Sequence, residues 1–134
     1  MKKLLLLVIT LIAITNLKSQ SAYDSIEPFG IFKKEWALVK LNGKIGFINK
    51  NGYEVVNPIY DDIEPFGGYL KNWARVKLNG KYGFINNKGY EIVNTIYDDI
   101  GPFDIDKKGL ALAQLDKQFI FINKYGAEVW ASGK

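Results

Sequence analysis

The 134-residue chain has no cysteine and no histidine. Without cysteine there are no disulfide bridges, no thiol to carry a lipid and no cysteine nucleophile. Without histidine there is no Ser-His-Asp system, and the two absences together remove a zinc centre of the usual ligand set. Carboxylates are left as the side chains of suitable pKa for acid–base work. Helical patterning is also missing: no segment after residue 20 sustains a 3.6-residue apolar period, so no substantial helix is expected there. Prolines number four, and three of them, Pro28, Pro65 and Pro102, recur at one fixed interval.

Long apolar runs are scarce too. Residues 4–14 form one, behind Lys2 and Lys3 and ahead of a short polar exit over 16–20. This is the pattern of a secretory signal peptide, too short to span a bilayer comfortably, with cleavage expected near Gln20. The full chain carries 18 basic and 14 acidic residues; Lys2, Lys3 and Lys18 lie in the leader, leaving 15 against 14. A net charge near +1 gives none of the positive field that nucleic-acid binding uses, and no nucleic-acid partner is expected.

What the chain does have is a repeat. A shift of 37 residues superposes Tyr23, Tyr60 and Tyr97 without a gap, then Phe47, Phe84 and Phe121, then Gly52, Gly89 and Gly126. The mature part, 21–134, divides into copies at 23–59, 60–96 and 97–134, the first two identical at 26 of 37 positions. A period of this length marks a repeat array in which each copy buries its apolar face on a neighbour.

Each copy opens with a tyrosine-acid segment, Tyr-Asp-x-Ile-x-Pro-Phe, ending at Phe29, Phe66 and Phe103. The proline restricts itself and the residue before it, so these segments read as turns or short edge pieces. A hairpin follows. Asn42-Gly43 and Asn79-Gly80 stand between apolar runs, and both residue types tolerate the positive φ of a two-residue type I′ turn. That turn places Leu41 opposite Lys44, Val39 opposite Gly46 and Ala37 opposite Ile48; in copy two, Arg75 falls opposite Phe84 and Lys77 opposite Tyr82. Both faces of the hairpin are mainly apolar, so each is expected to lie between layers. A third strand is expected over 53–57, 90–94 and 127–130, after the loop glycines. The third copy departs from the others: Lys117 replaces the turn glycine, Ile120 the strand glycine and Leu110 the tryptophan.

The pattern of Ala74-Arg-Val76, Gly80-Lys-Tyr-Gly-Phe-Ile-Asn86, Gly89, Glu91-Ile-Val93, Tyr97-Asp-Asp and Pro102-Phe103 resembles the WG-repeat family of bacterial β repeats. The tryptophan that names that family is Ile45, Tyr82 and Phe119 here, which keeps the position large and apolar. The resemblance implies an all-β array of tandem antiparallel hairpins, solenoid-like or a partial propeller. It also implies an exported, non-enzymatic scaffold without a shared catalytic site or cofactor.

The candidate binding surface is Trp73, Arg75, Lys77, Tyr82 and Phe84, where cations beside aromatic faces suit an acidic partner or a sugar. The competing expectation is that these rings pack on the next copy while Arg75 and Lys77 reach out to water. Asp61-Asp62 and Asp98-Asp99 lack the alternating spacing of a calcium loop and read as turn acids, so no metal site is expected. Nothing in the pattern positions Glu64 and Glu91 as a glycosidase pair. The expected function is protein–protein interaction in the bacterial envelope or outside the cell, with cell-wall or extracellular glycan binding as the alternative. Exposed terminal strand edges invite pairing with a partner or a second copy.

Overall fold

The computed structural model describes residues 22–130. The leader reading for 1–20 therefore lies outside the described residues. Among those residues there is no helix, and twelve strands form three antiparallel four-stranded sheets. The first sheet is β1 (Ser25–Ile26), β2 (Trp36–Leu41), β3 (Lys44–Asn49) and β4 (Glu54–Tyr60). The second is β5 (Asp62–Ile63), β6 (Trp73–Leu78), β7 (Lys81–Asn86) and β8 (Glu91–Tyr97). The third is β9 (Asp99–Lys107), β10 (Leu110–Leu115), β11 (Gln118–Asn123) and β12 (Glu128–Val129). In each sheet the strands pair in chain order. The chain divides into two compact units, one up to Pro58 and one from Ile59 onward.

The hairpin register follows from the turn residues. Leu41 pairs with Lys44, Val39 with Gly46 and Ala37 with Ile48. In the second sheet Arg75 pairs with Phe84 and Lys77 with Tyr82. Each sheet has four strands, one more than the three expected per copy. The extra strand comes from the tyrosine-acid segment, because its isoleucine joins the hairpin's apolar face: Ile26 pairs with Val39, Ile63 with Val76 and Ile100 with Ala113. The last strand of the first two sheets is also longer than expected and runs through Pro58 in β4. β4 is the edge strand of the first sheet, where a missing N–H costs no ladder bond.

The third copy keeps the backbone path although its sequence has drifted. Positive φ occurs at five positions of the repeat, and at each of them in all three copies. Gly30, Gly67 and Asp104 share one; Glu35, Asn72 and Gly109 share another. The hairpin turn holds two, ending in Asp116 at φ 50° and Lys117 at φ 70°. Gly52, Gly89 and Gly126 hold the fifth. The turn thus survives loss of the glycine, with Lys117 in a region that costs an L side chain about 1–2 kcal/mol.

Three polar contacts also recur at the repeat interval. Tyr23, Tyr60 and Tyr97 donate their hydroxyls to Glu54, Glu91 and Glu128 at 2.7, 2.5 and 2.6 Å. Asp24, Asp61 and Asp98 accept from the first turn amide, at Asn42, Asn79 and Asp116. Asn49, Asn86 and Asn123 each accept two amides of the following loop. Asp24, Asp61 and Asp98 and the repeated asparagines are therefore occupied in holding turns, and the repeated glutamates in holding the opening tyrosines.

In the unit before Pro58, Ala37, Val39 and Ile48 form a small core with Tyr23 and Ile26 against it. In the unit after it, one core runs across the second and third sheets. Trp73, Phe84, Val93 and Tyr97 of copy two or its border meet Ile100, Phe103, Ala111, Ala113, Ile120 and Ile122.

Candidate functional site

Strands β6 and β7 put Trp73, Arg75, Lys77, Tyr82 and Phe84 on one face, as the two-residue turn dictates. That face is where the third sheet packs. Trp73 and Phe84 are buried, and Phe103 stands edge-on to Trp73 at a centroid distance of 5.6 Å and 6.1 Å from Phe84. Neither ring presents a face to solvent. Arg75, Lys77 and Tyr82 are half-buried.

Arg75 is the centre of the polar part. Its guanidinium lies 4.6 Å from the Tyr69 ring centroid and 4.2 Å from that of Tyr82. Nε donates to Glu64 at 2.8 Å, and Nη2 lies 2.7 Å from the same carboxylate. Nη1 donates to the Ile100 carbonyl at 2.8 Å and to Asp99 at 3.1 Å. Burial works against the charge, but the hydrogen bond and charge of Glu64 outweigh it and the guanidinium pKa is raised. A side chain held by two rings, two carboxylates and a carbonyl has little capacity left for a ligand. Lys77 sits 5.5 Å from the Tyr82 centroid. Lys81 pairs with Asp98, whose carboxyl that contact holds below the usual range.

The five residues named from sequence are thus together, as a structural joint between two sheets. Sequence reasoning missed the other half of that joint. Glu64, Asp99 and Phe103 sit in the tyrosine-acid segments, and their recurrence was the signal that could have found them. Tyr69 carried only a partial one, because its counterparts are Phe32, which packs edge-on to Phe47 as Tyr69 does to Phe84, and Asp106. Glu64 and Glu91 hold different partners, Arg75 and Tyr60.

Some outward side chains are apolar and recur at the repeat interval. Tyr53 and Tyr90 are 70% and 68% exposed at the same repeat position, and Ile59 and Ile96 are exposed at another.

A family model described as WG containing repeat matches residues 45–82 and 82–119, more than half of the chain. The chain belongs to the WG containing repeat family. Both matches begin at the position of the naming tryptophan, occupied by Ile45 and Tyr82. The structure explains the glycine that follows in a WG repeat. A Cβ on Gly46 would sit 2.3 Å from the carbonyl oxygen of Val56, and one on Gly83 the same distance from that of Val93. Backbone passes directly over backbone there. In the third copy β12 ends at Val129, one residue short of the position that matches Val93, and Ile120 takes the glycine's place. No curated protein and no solved structure matches the chain.

Proposed function

We propose that this WG-repeat chain is an exported, non-catalytic scaffold that binds a protein partner in the envelope or outside the cell. The observation that carries this reading is the division of labour between its side chains. The repeated tyrosines, acids and amides are bonded internally, while Tyr53, Tyr90, Ile59 and Ile96 point outward at matching positions. Exposed tyrosine offers a rigid, amphipathic contact at low entropy cost, which suits protein recognition. Export is supported by the charged start and apolar run of residues 1–20.

The test is site-specific photo-crosslinking in the native host, with a photoreactive phenylalanine at Tyr53 or Tyr90 and a control at Lys88. One discrete protein adduct from the tyrosine positions, absent at Lys88 and lost on competition with unlabelled chain, supports the reading. Adducts of equal yield at all three positions, or none, count against it. Co-sedimentation with purified peptidoglycan, lost in Tyr53→Ser/Tyr90→Ser, would replace it with glycan binding. N-terminal mass analysis of the recovered chain tests cleavage near Gln20.

A further inference from the structure

The third sheet carries a cavity of about 160 Å³ lined by Asp99, Gly101, Ile105, Asp106, Leu112 and Phe119, among others. Leu112 and Phe119 alternate along β10 and β11 with the buried Ala111, Ala113 and Ile120, so the cavity opens on the side away from the core. Its position in the repeat is informative. Subtracting 37 from its lining residues gives Asp62, Glu64, Tyr69, Arg75 and Tyr82 for Asp99, Gly101, Asp106, Leu112 and Phe119. Of these, Glu64, Tyr69 and Tyr82 surround the Arg75 guanidinium in copy two, and another is Arg75 itself.

The third copy has lost that cation together with its main counter-ion, as Arg75 becomes Leu112 and Glu64 becomes Gly101. The ring that stacked on it persists as Phe119, now 60% exposed. A carboxylate, Asp106, has replaced the second ring, and no ion-pair partner for it occurs among the described residues. Asp99 remains at the rim, holding Arg75 of the second sheet at 3.1 Å through one oxygen. The backbone frame is retained, since the positive-φ positions on either side of the loop recur in both copies. An apolar slot with one free ring face and two carboxylates at its mouth is complementary to a flat cation on an aliphatic stem.

We propose that this cavity is a docking site for an arginine side chain of the partner protein, which takes the place that Arg75 fills within the chain. The inference rests on the scaffold reading and names the chemistry its partner presents. The guanidinium lies against Phe119 and pairs with Asp106 and Asp99, while its methylenes cover Leu112 and Ile105. Arginine is favoured over lysine because a planar group stacks on the ring and donates to both carboxylates at once.

The test is titration of the purified chain with the peptide Ac-Gly-Arg-Gly-NH2, followed by NMR of the Leu112 and Ile105 methyl groups. The expected result is saturable shifts with a dissociation constant on the order of 1 mM. Replacing the arginine by neutral citrulline, or Asp106 by asparagine, is expected to weaken binding at least about fivefold. The variant Leu112→Arg/Gly101→Glu refills the slot from within the chain and is expected to abolish binding. Gly101 has room for a side chain, since a Cβ there would lie 3.7 Å from the carbonyl oxygen of Leu112, an ordinary contact. Equal affinity for the citrulline peptide, no methyl shifts at about 10-fold excess over the expected constant, or retained binding in the folded refilled variant each overturn the proposal. If the refilled variant does not fold, Asp106→Asn, at an exposed site, decides alone. Free L-arginine binding more tightly than the peptide overturns the assignment to a protein partner. Failure here leaves the crosslinking result at Tyr53 and Tyr90 untouched, so the two readings fail separately.

Discussion

The hydroxyl of Tyr60 donates to Glu91 at 2.5 Å, and the two residues stand 31 positions apart in the chain. The same pair closes the other two copies, linking the opening tyrosine of each to its last strand. Tyr60→Phe removes a charge-assisted bond from a buried ring and is expected to cost about 1.5–3 kcal/mol. Tyr23→Phe, at a half-buried site, is expected to cost less. Denaturant unfolding of both variants checks the order.

The same pairs make the fold sensitive to alkali. Burial, and then the glutamate hydrogen bond and charge, push Tyr23 up to about 12 and raise Tyr60 and Tyr97 as well. An unfolded chain ionises its tyrosines near 10. Folding therefore keeps its full contribution from these groups below about pH 10 and loses it as pH rises through their folded values. Denaturation midpoints are expected to be flat from about pH 8 to 9.5 and to fall above 10, with a shallower fall in Tyr60→Phe.

Gly83→Ala is expected to destabilise the chain by at least about 2 kcal/mol, since its new methyl would need the space of the Val93 carbonyl. Gly101→Ala meets only ordinary contact at 3.7 Å and is expected to stay within about 0.5 kcal/mol. Thermal unfolding of the two side by side separates a close-approach glycine from a drifted one.

Lys117→Gly is expected to stabilise the third hairpin by about 0.5 kcal/mol. Relief of a left-handed lysine at φ 70° outweighs the added freedom of glycine in the unfolded chain. A rise in unfolding temperature checks it; a fall would mean that the lysine side chain makes a compensating contact.

Arg75→Leu leaves Glu64 half-buried without its cation and is expected to cost about 3 kcal/mol or more. Adding Glu64→Gly, the combination the third copy already carries, is expected to restore part of that loss. A double-mutant cycle reads the coupling directly.

Much of the fold was legible because it depends on local rules. Asn42-Gly43 and Asn79-Gly80 set the hairpin register residue by residue, and the repeat carried that register into Asp116-Lys117. The short strands at Ser25–Ile26 and Asp62–Ile63 were harder to see, since two residues beside a proline carry no alternation of their own. The candidate site was half legible. Alternation placed Trp73, Arg75, Lys77, Tyr82 and Phe84 on one face, but a hairpin apolar on both sides does not declare which side meets a neighbour. The partner side of Arg75 depends on Asp99 and the Ile100 carbonyl, 24 and 25 residues downstream. Only tertiary packing brings them in.

Pairing in chain order has a consequence for how the molecule is made. Copies one and two match at 26 of 37 positions, so a strand of one is nearly as good a partner for the other's hairpin as its own. Such near-duplicates are prone to exchange during folding. Here each strand's partner is the next to emerge, across a connection far shorter than the 37 residues to its duplicate. Closing the short loop costs less entropy and happens sooner. Nearest-neighbour topology thus works as a kinetic filter, favouring each near-identical copy's pairing with its own strands over exchange with the other's.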